Sequence, residues 1–222
     1  MESVTVPEAQ THTPRFDQVF REGLDALLLW RRDVRRFATA PLEPGMVERL
    51  VERACLAPSV GYSQPWRFVL VESPQVRSAV RANFLACNRE ALAEYAGERA
   101  RRYAELKLAG LDDAPVHLAV FADTGTEAGH GLGQRTMPAM LQYSVVTAVH
   151  TLWLVARAWG IGVGWVSILD PIAVRESLDV PPSWDLVAYL CIGYPEAESP
   201  TPELARAGWQ GADPDARLVH RR

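Results

Sequence analysis

"LLLWRRDVRRFATAP", residues 27–41, runs three leucines and a tryptophan into Arg31, Arg32, Arg35 and Arg36, with a single acid, Asp33, among them. Upstream, Phe16, Val19, Phe20, Leu24, Leu27 and Leu28 recur at three-and-four spacing, which predicts a helix that buries one face and ends near Trp30. Cations suit the negative end of a helix dipole, and that alone accounts for surface arginines at such a place. Clustered guanidinium groups do more, because their planar donor forks match a phosphate by bidentate hydrogen bonds. Asp33 then either neutralises one arginine or points into a site as acid, base or hydrogen-bond acceptor.

The rest of the chain narrows the function classes. Its 222 residues, 48% of them hydrophobic, can bury a substantial core. A net charge of -4 argues against nucleic acid or an anionic membrane surface as partner, since either would call for a basic stripe. A local anion site stays open. Cys55, Cys87 and Cys191 are far apart with no CxxC pair, so they read as free buried thiols in a reducing cytoplasm. Nothing before Arg15 resembles a signal peptide. The uncharged run 138–156 contains Gln142, Ser144, Thr147, His150 and Thr151, and reads as a buried central helix rather than a membrane span. A cytoplasmic protein is expected.

Along the chain, residues 1–14 read as a flexible arm and 15–222 as a single domain. A second helix is expected over 44–56, with Pro44 in its first turn. "APSVGYSQPW" is a loop, and "RFVLVES", 67–73, alternates like a strand. Residues 74–108 are helical with a break at Gly97, and "VHLAVFAD", 116–123, suits a central strand buried on both faces. A helix over 139–159 stops at Gly160, and "GVGWVSIL" and "WDLVAYLCIGY" complete an α+β pattern. From 195 onward the chain is too polar for a core of its own and is expected to wrap over something, a partner subunit included.

Several constellations carry less than they suggest. "GHGLGQ", 129–134, and "GIGVGW", 160–165, both miss the GxGxxG spacing, and no GxxxxGK[ST] loop exists, so no built-in nicotinamide site is expected. His117, His130 and His150 lack ligand spacing and read as core or loop residues, with no metal site. Ser167 ends a glycine-loosened strand without a GxSxG elbow. Trp66, Trp153 and Trp159 read as core rather than stacking platforms.

The order "RRDVRRF", "APSVGYSQPWRFVLV", central helix, "GIGVGWVSIL" resembles the FMN-dependent nitroreductase-like family, whose usual forms are R-x-S-x-R-x-F and P-S-x-x-N-x-Q-P-W. The resemblance covers about residues 20–195. It implies an α+β fold with a mostly antiparallel sheet flanked by helices, in a homodimer. Asp33 in place of the motif serine, together with "GERARRYAELKLAGLDDAP", "GQRTMPAMLQYS" and "PELARAGW", is similar to one branch of that family over about 16–210. In that branch reduced FMN is the substrate. Molecular oxygen fragments it to 5,6-dimethylbenzimidazole, the lower ligand of cobalamin, and erythrose 4-phosphate.

By this resemblance Arg31, Arg32 and Arg35 contact the phosphate and ribityl chain. Ser59 and Gln64 lie near the isoalloxazine ring across a dimer, and Gly164 and Trp165 offer backbone to it. Asp33 is implied as general base or proton shuttle, and Ser167 as hydrogen-bond partner to the ring or its oxygen adduct. Residues 85–110 are implied as a lid and 195–222 as a C-terminal arm, with a separate flavin reductase supplying FMNH2. Tyr62 replaces the family loop's asparagine, and "GWQGA" lacks basic residues after the tryptophan. An NAD(P)H-dependent nitroreductase or dehalogenase, or a flavin-binding protein without turnover, are the alternative readings.

Overall fold

The computed structural model describes residues 13–106 and 110–221. The expected arm at 1–14 lies almost wholly outside the described residues, as do 107–109 of the expected lid. Helix α1 (Gln18–Trp30) is capped by Asp17, whose carboxylate accepts from the Phe20 amide at 2.9 Å. Next comes α2 (Met46–Ala54), with Gly45 at its N-cap. Pro44 therefore stands before the helix and not in its first turn, because the left-handed Gly45 (φ 77°) redirects the chain between them. Strand β1 (Trp66–Leu70) is followed by α3 (Pro74–Ala93), α4 (Gly97–Glu105) and β2 (Val116–Asp123). The central α5 (Met140–Ala158), β3 (Gly162–Val166), α6 (Pro171–Ser177), β4 (Trp184–Gly193) and a short α7 (Glu203–Arg206) complete the order.

All four strands pair antiparallel, in keeping with the expected mostly antiparallel sheet, and they lie in the order β1-β2-β4-β3. Period-two alternation along β2 and β4 supplies two cores at once. Leu118, Val120, Leu190 and Ile192 face α2 and α5, where Val145, Ala148, Val149, Leu152 and Ala156 repeat on one helix face. Ala119, Phe121, Tyr189 and Cys191 face α3 and α6, meeting Val80, Phe84 and Val174. With both faces covered, β2 reads as an unbroken apolar run. The strand β3 is an edge, and that edge carries the site.

Three expectations are corrected. Helix α1 buries no residue: Val19, Phe20, Leu24 and Leu28, and Phe16 just before it, are exposed, because its apolar face turns away from this chain's core. Cys55 is exposed and Cys87 half-buried, leaving only Cys191 as a buried thiol, pushed up to about 12 by burial. Trp159 is 52% exposed beneath the Arg49 guanidinium, whereas Trp66 and Trp153 are buried as expected. No helix among the described residues is long and apolar enough to cross a membrane.

His117 is buried in β2 and shares a 2.9 Å hydrogen bond with the Tyr189 hydroxyl. Burial, seconded by the Arg77 charge, lowers its pKa to about 4. The folded state therefore prefers the neutral ring. The stability this contributes is complete above about pH 6.5 and is lost as pH falls toward 4. The whole loss amounts to about 3 kcal/mol. Denaturant unfolding at pH 7 and pH 4.5 should show a smaller loss on acidification in His117→Gln than in the wild type. Equal losses would clear His117 of the effect.

Candidate active site

After α1 the chain extends at Arg31 and lies along the free edge of β3. The Val34 amide donates to the Val163 carbonyl at 3.1 Å, and Asp33 forms a parallel bridge with Val163. This approach is possible because β3 carries glycines. A Cβ on Gly164 would stand 2.1 Å from the Val34 carbonyl oxygen, so the segment could not lie where it does beside any other residue. Phe37, 1% exposed, anchors the far end, with its ring pressed on Gly110 and Gly193.

On this seat Asp33 is held at both oxygens. Its Oδ1 accepts from the Trp165 amide at 3.0 Å and its Oδ2 from Arg35 Nε at 2.8 Å. Arg31 lies 4.8 Å over the ring of Trp153, whose indole N–H donates to the Arg32 carbonyl at 3.2 Å. Burial and the neighbouring Arg32 charge lower the Arg31 pKa, which makes an anionic partner there more favourable. Ser167 follows β3 directly and is exposed. It stands two residues beyond Trp165, roughly 7 Å along an extended chain.

Beside the seat is a cleft of about 490 Å³, lined by Arg32, Asp33, Arg35, Trp153 and Arg157 and by Pro195–Ala207 residues of the C-terminal stretch. Arg35 is only 11% exposed in its side chain, and its Nη1 is buried without a hydrogen-bond partner. A buried guanidinium donor left unpaired is costly, and an anion in the cleft would relieve it. Arg32 differs. Its Nε and Nη2 donate to the Pro200 carbonyl at 2.8 and 2.6 Å, and its Nη1 to the Arg31 carbonyl at 2.6 Å. In this arrangement Arg32 fastens main chain, while Arg35 holds the open donor.

Ser59 and Gln64 belong to a second group. Their loop is pinned to the beginning of α5, where Ser144 Oγ accepts from the Val60 amide at 3.0 Å. Trp153 lies nine residues further along that helix, roughly 13–14 Å away along its axis. Ser59 Oγ accepts from the Gln64 amide at 3.1 Å. Tyr62 (φ 55°) and Gln64 (φ 46°) are both left-handed, a conformation that costs a residue with a Cβ about 1–2 kcal/mol. The chain thus brings Arg31, Arg32, Asp33, Arg35, Gly164 and Trp165 together, with Ser167 next to them. Ser59 and Gln64 stand apart.

Sequence reasoning missed Arg157 and Glu198, which form a two-pronged ion pair at the cleft. It also treated Trp153 as core alone, although the buried indole carries both Arg31 and the Arg32 carbonyl. The apolar periodicity of α5 marked Trp153 as buried but gave no hint of what would lie over its ring. Among the described residues no group of three or more His, Cys, Asp or Glu could hold a metal ion.

Residues 28–194 match the Nitroreductase family. A 5,6-dimethylbenzimidazole synthase of Rhodospirillum rubrum is 57% identical over 201 residues, 90% of this chain and 95% of that protein. One from Rhodobacter capsulatus is 52% identical over 88% of this chain and 94% of its own. Among solved structures, an oxidised iodotyrosine deiodinase bound to FMN and 3-iodo-L-tyrosine superposes with a TM-score of 0.67 at 23% identity, covering 89% of this chain and 97% of the other.

Two substitutions test this geometry. Gly164→Ala should push the Val34 segment off β3 and lower unfolding stability by roughly 1–3 kcal/mol, as forced overpacking does. An unchanged denaturation midpoint would mean that the close approach is not required. Tyr62→Asn should raise the melting temperature slightly, because asparagine tolerates the left-handed region that tyrosine resists. A lowered midpoint would show that the tyrosine ring contributes more than its backbone costs.

Proposed function

This chain belongs to the nitroreductase family, and we propose that it makes 5,6-dimethylbenzimidazole for the lower ligand of cobalamin, consuming reduced FMN and molecular oxygen and releasing erythrose 4-phosphate. The relatives named for that synthesis match it over nine-tenths of its length. Within the fold, the observation that carries the reading is the buried, unpartnered Nη1 of Arg35 in a cleft that also presents Asp33. At about 490 Å³ the cleft falls inside the usual range for small-molecule sites, roughly 300–1,000 Å³.

The residues present fit FMN. Arg35 would hold the phosphate through its free donor, and Arg31, kept over Trp153, adds positive charge nearby. Reduced FMN supplies both the electrons that oxygen takes up and the carbon skeleton of the product. Asp33 has Oδ1 fixed by the Trp165 amide, which leaves Oδ2, shared with Arg35, as the atom that takes up and returns a proton. Ser167 would donate a hydrogen bond from the adjoining strand end. The described part of the 85–110 segment, the second half of α3 with α4, acts as the lid, excluding water from the reaction.

The active unit in this reading is a homodimer. A second copy covers the exposed apolar face of α1 and brings its Ser59 and Gln64 to the first copy's arginine segment. Reduced FMN comes from a separate flavin reductase, since the chain has no dinucleotide fingerprint of its own.

Purified protein mixed with chemically reduced FMN and then exposed to air should yield 5,6-dimethylbenzimidazole by mass spectrometry. Clean reoxidation to intact FMN would sink the reading and favour a reductase-type activity. Asp33→Asn keeps an acceptor for the Trp165 amide, so it should fold and bind FMN yet give no product. Arg35→Leu should weaken FMN binding by about 1.5–3 kcal/mol in a fluorescence titration.

A further inference from the structure

The C-terminal stretch is tied at both ends. Leaving β4, it pairs with the arginine segment: the Ala38 amide donates to the Tyr194 carbonyl at 2.9 Å, the Glu196 amide to the Arg36 carbonyl at 3.2 Å, and Phe37 bridges Pro195. The Pro200 carbonyl then accepts from Arg32 Nε and Nη2, and Glu198 pairs with Arg157 on α5. After α7 it reaches the other end. Arg102 of α4 donates through Nη1 to the Gly208 carbonyl at 2.7 Å. Trp209 meets Tyr95 edge-on at 5.5 Å and Tyr103 at 6.0 Å, while Tyr103 OH donates to Asn88 of α3 at 2.9 Å.

Among the described residues, helix α4 has little else to hold it. Tyr103 is its one buried residue, and its remaining side chains are mostly charged and exposed. Glu98, Arg101, Arg102 and Glu105 pair with one another on that surface. An element with so little buried apolar surface opens at low cost unless something outside it closes the contact. The aromatic trio and the Arg102–Gly208 bond are that contact. In each the outer partner, Trp209 or Gly208, belongs to the strap whose middle lines the cleft.

We propose that residues 195–209 are the clasp of the lid, and that Trp209 and Arg102 are positioning residues that keep α4 closed against the strap that lines the cleft. Arg32 anchors the opposite end through Pro200, so the segment that carries the FMN-binding residues and the lid are joined by one stretch of chain. The clasp rests on the reading of the second half of α3 and α4 as a lid over reduced FMN. Without it, reduced FMN exposed to solvent reacts with oxygen to give intact FMN and hydrogen peroxide, and its carbon skeleton is not broken.

The test uses the full chain with Trp209→Ala, Trp209→Phe and the milder Arg102→Gln. Amide hydrogen exchange without flavin should be at least tenfold faster across 97–105 in Trp209→Ala, with Phe restoring protection. Under reduced FMN and air, at saturating flavin, Trp209→Ala should shift the outcome severalfold from 5,6-dimethylbenzimidazole toward hydrogen peroxide and intact FMN. Trp209→Phe should recover the product and Arg102→Gln should fall between. If exchange at 97–105 does not change, the clasp is refuted. A lowered melting temperature with unaltered product partition would refute its functional part, leaving Trp209 a stabilising residue only. Should the wild type make no 5,6-dimethylbenzimidazole, the synthase reading fails, while exchange at 97–105 and the FMN dissociation rate still decide the clasp.

Discussion

The carbonyl of Val34 resting where Gly164 has no Cβ is the contact on which the rest of the site depends. It lets an irregular segment take the place of a fifth strand at the open edge of β3, using an edge that would otherwise expose unpaired backbone groups. Once Val34 is seated, Asp33 necessarily meets the Trp165 amide and Arg35 turns back onto Asp33. Phe37 then closes the segment into the core beneath α3 and α6. A steric allowance at one residue thereby sets the positions of an acid and of the arginine paired with it.

Electrostatics divides the four arginines by task. Arg35 is shielded, paired on one side with Asp33 and open on the other, a combination that favours an incoming anion over water. Arg31 is spread over an indole face and partly desolvated. Arg32 spends Nε and Nη2 on the Pro200 carbonyl of the strap and Nη1 on the Arg31 carbonyl, and Arg36 is exposed. A cluster that looks uniform in sequence is therefore one open hook, one stacked charge, one fastener and one solvated residue. Acidic groups from the strap, Glu196, Glu198 and Glu203, enter the same cleft and keep it from being a bare cationic surface.

Two features of the single chain point outward. The strained loop with Ser59 and Gln64 is fixed at one end of α5 and the arginine segment at the other. Helix α1 presents a run of apolar side chains to solvent, beyond what scattered surface hydrophobics would account for. A proposed second copy answers both, which is why the strain at Tyr62 and Gln64 is better understood as positioning than as a defect of the loop.

Much of the architecture was legible in the residues. The alternating and apolar runs located all four strands, the apolar periodicity located α5, and the motif order from "RRDVRRF" through "GVGWVSIL" marked the family and the acid at position 33. Those signals are local: they depend on period, turn residues and spacing. What α1 packs against was not legible, because periodicity reports that a face is apolar and not which surface covers it. Nor did the sequence distinguish Arg32 from Arg35, since both are arginines three residues apart in one run. Only the folded chain, by returning Pro200 to one and leaving the other's Nη1 buried and unpartnered, decided which fastens the strap and which is free for a ligand. Long-range contacts of this kind, across 168 residues, arise from packing and leave no trace in local pattern.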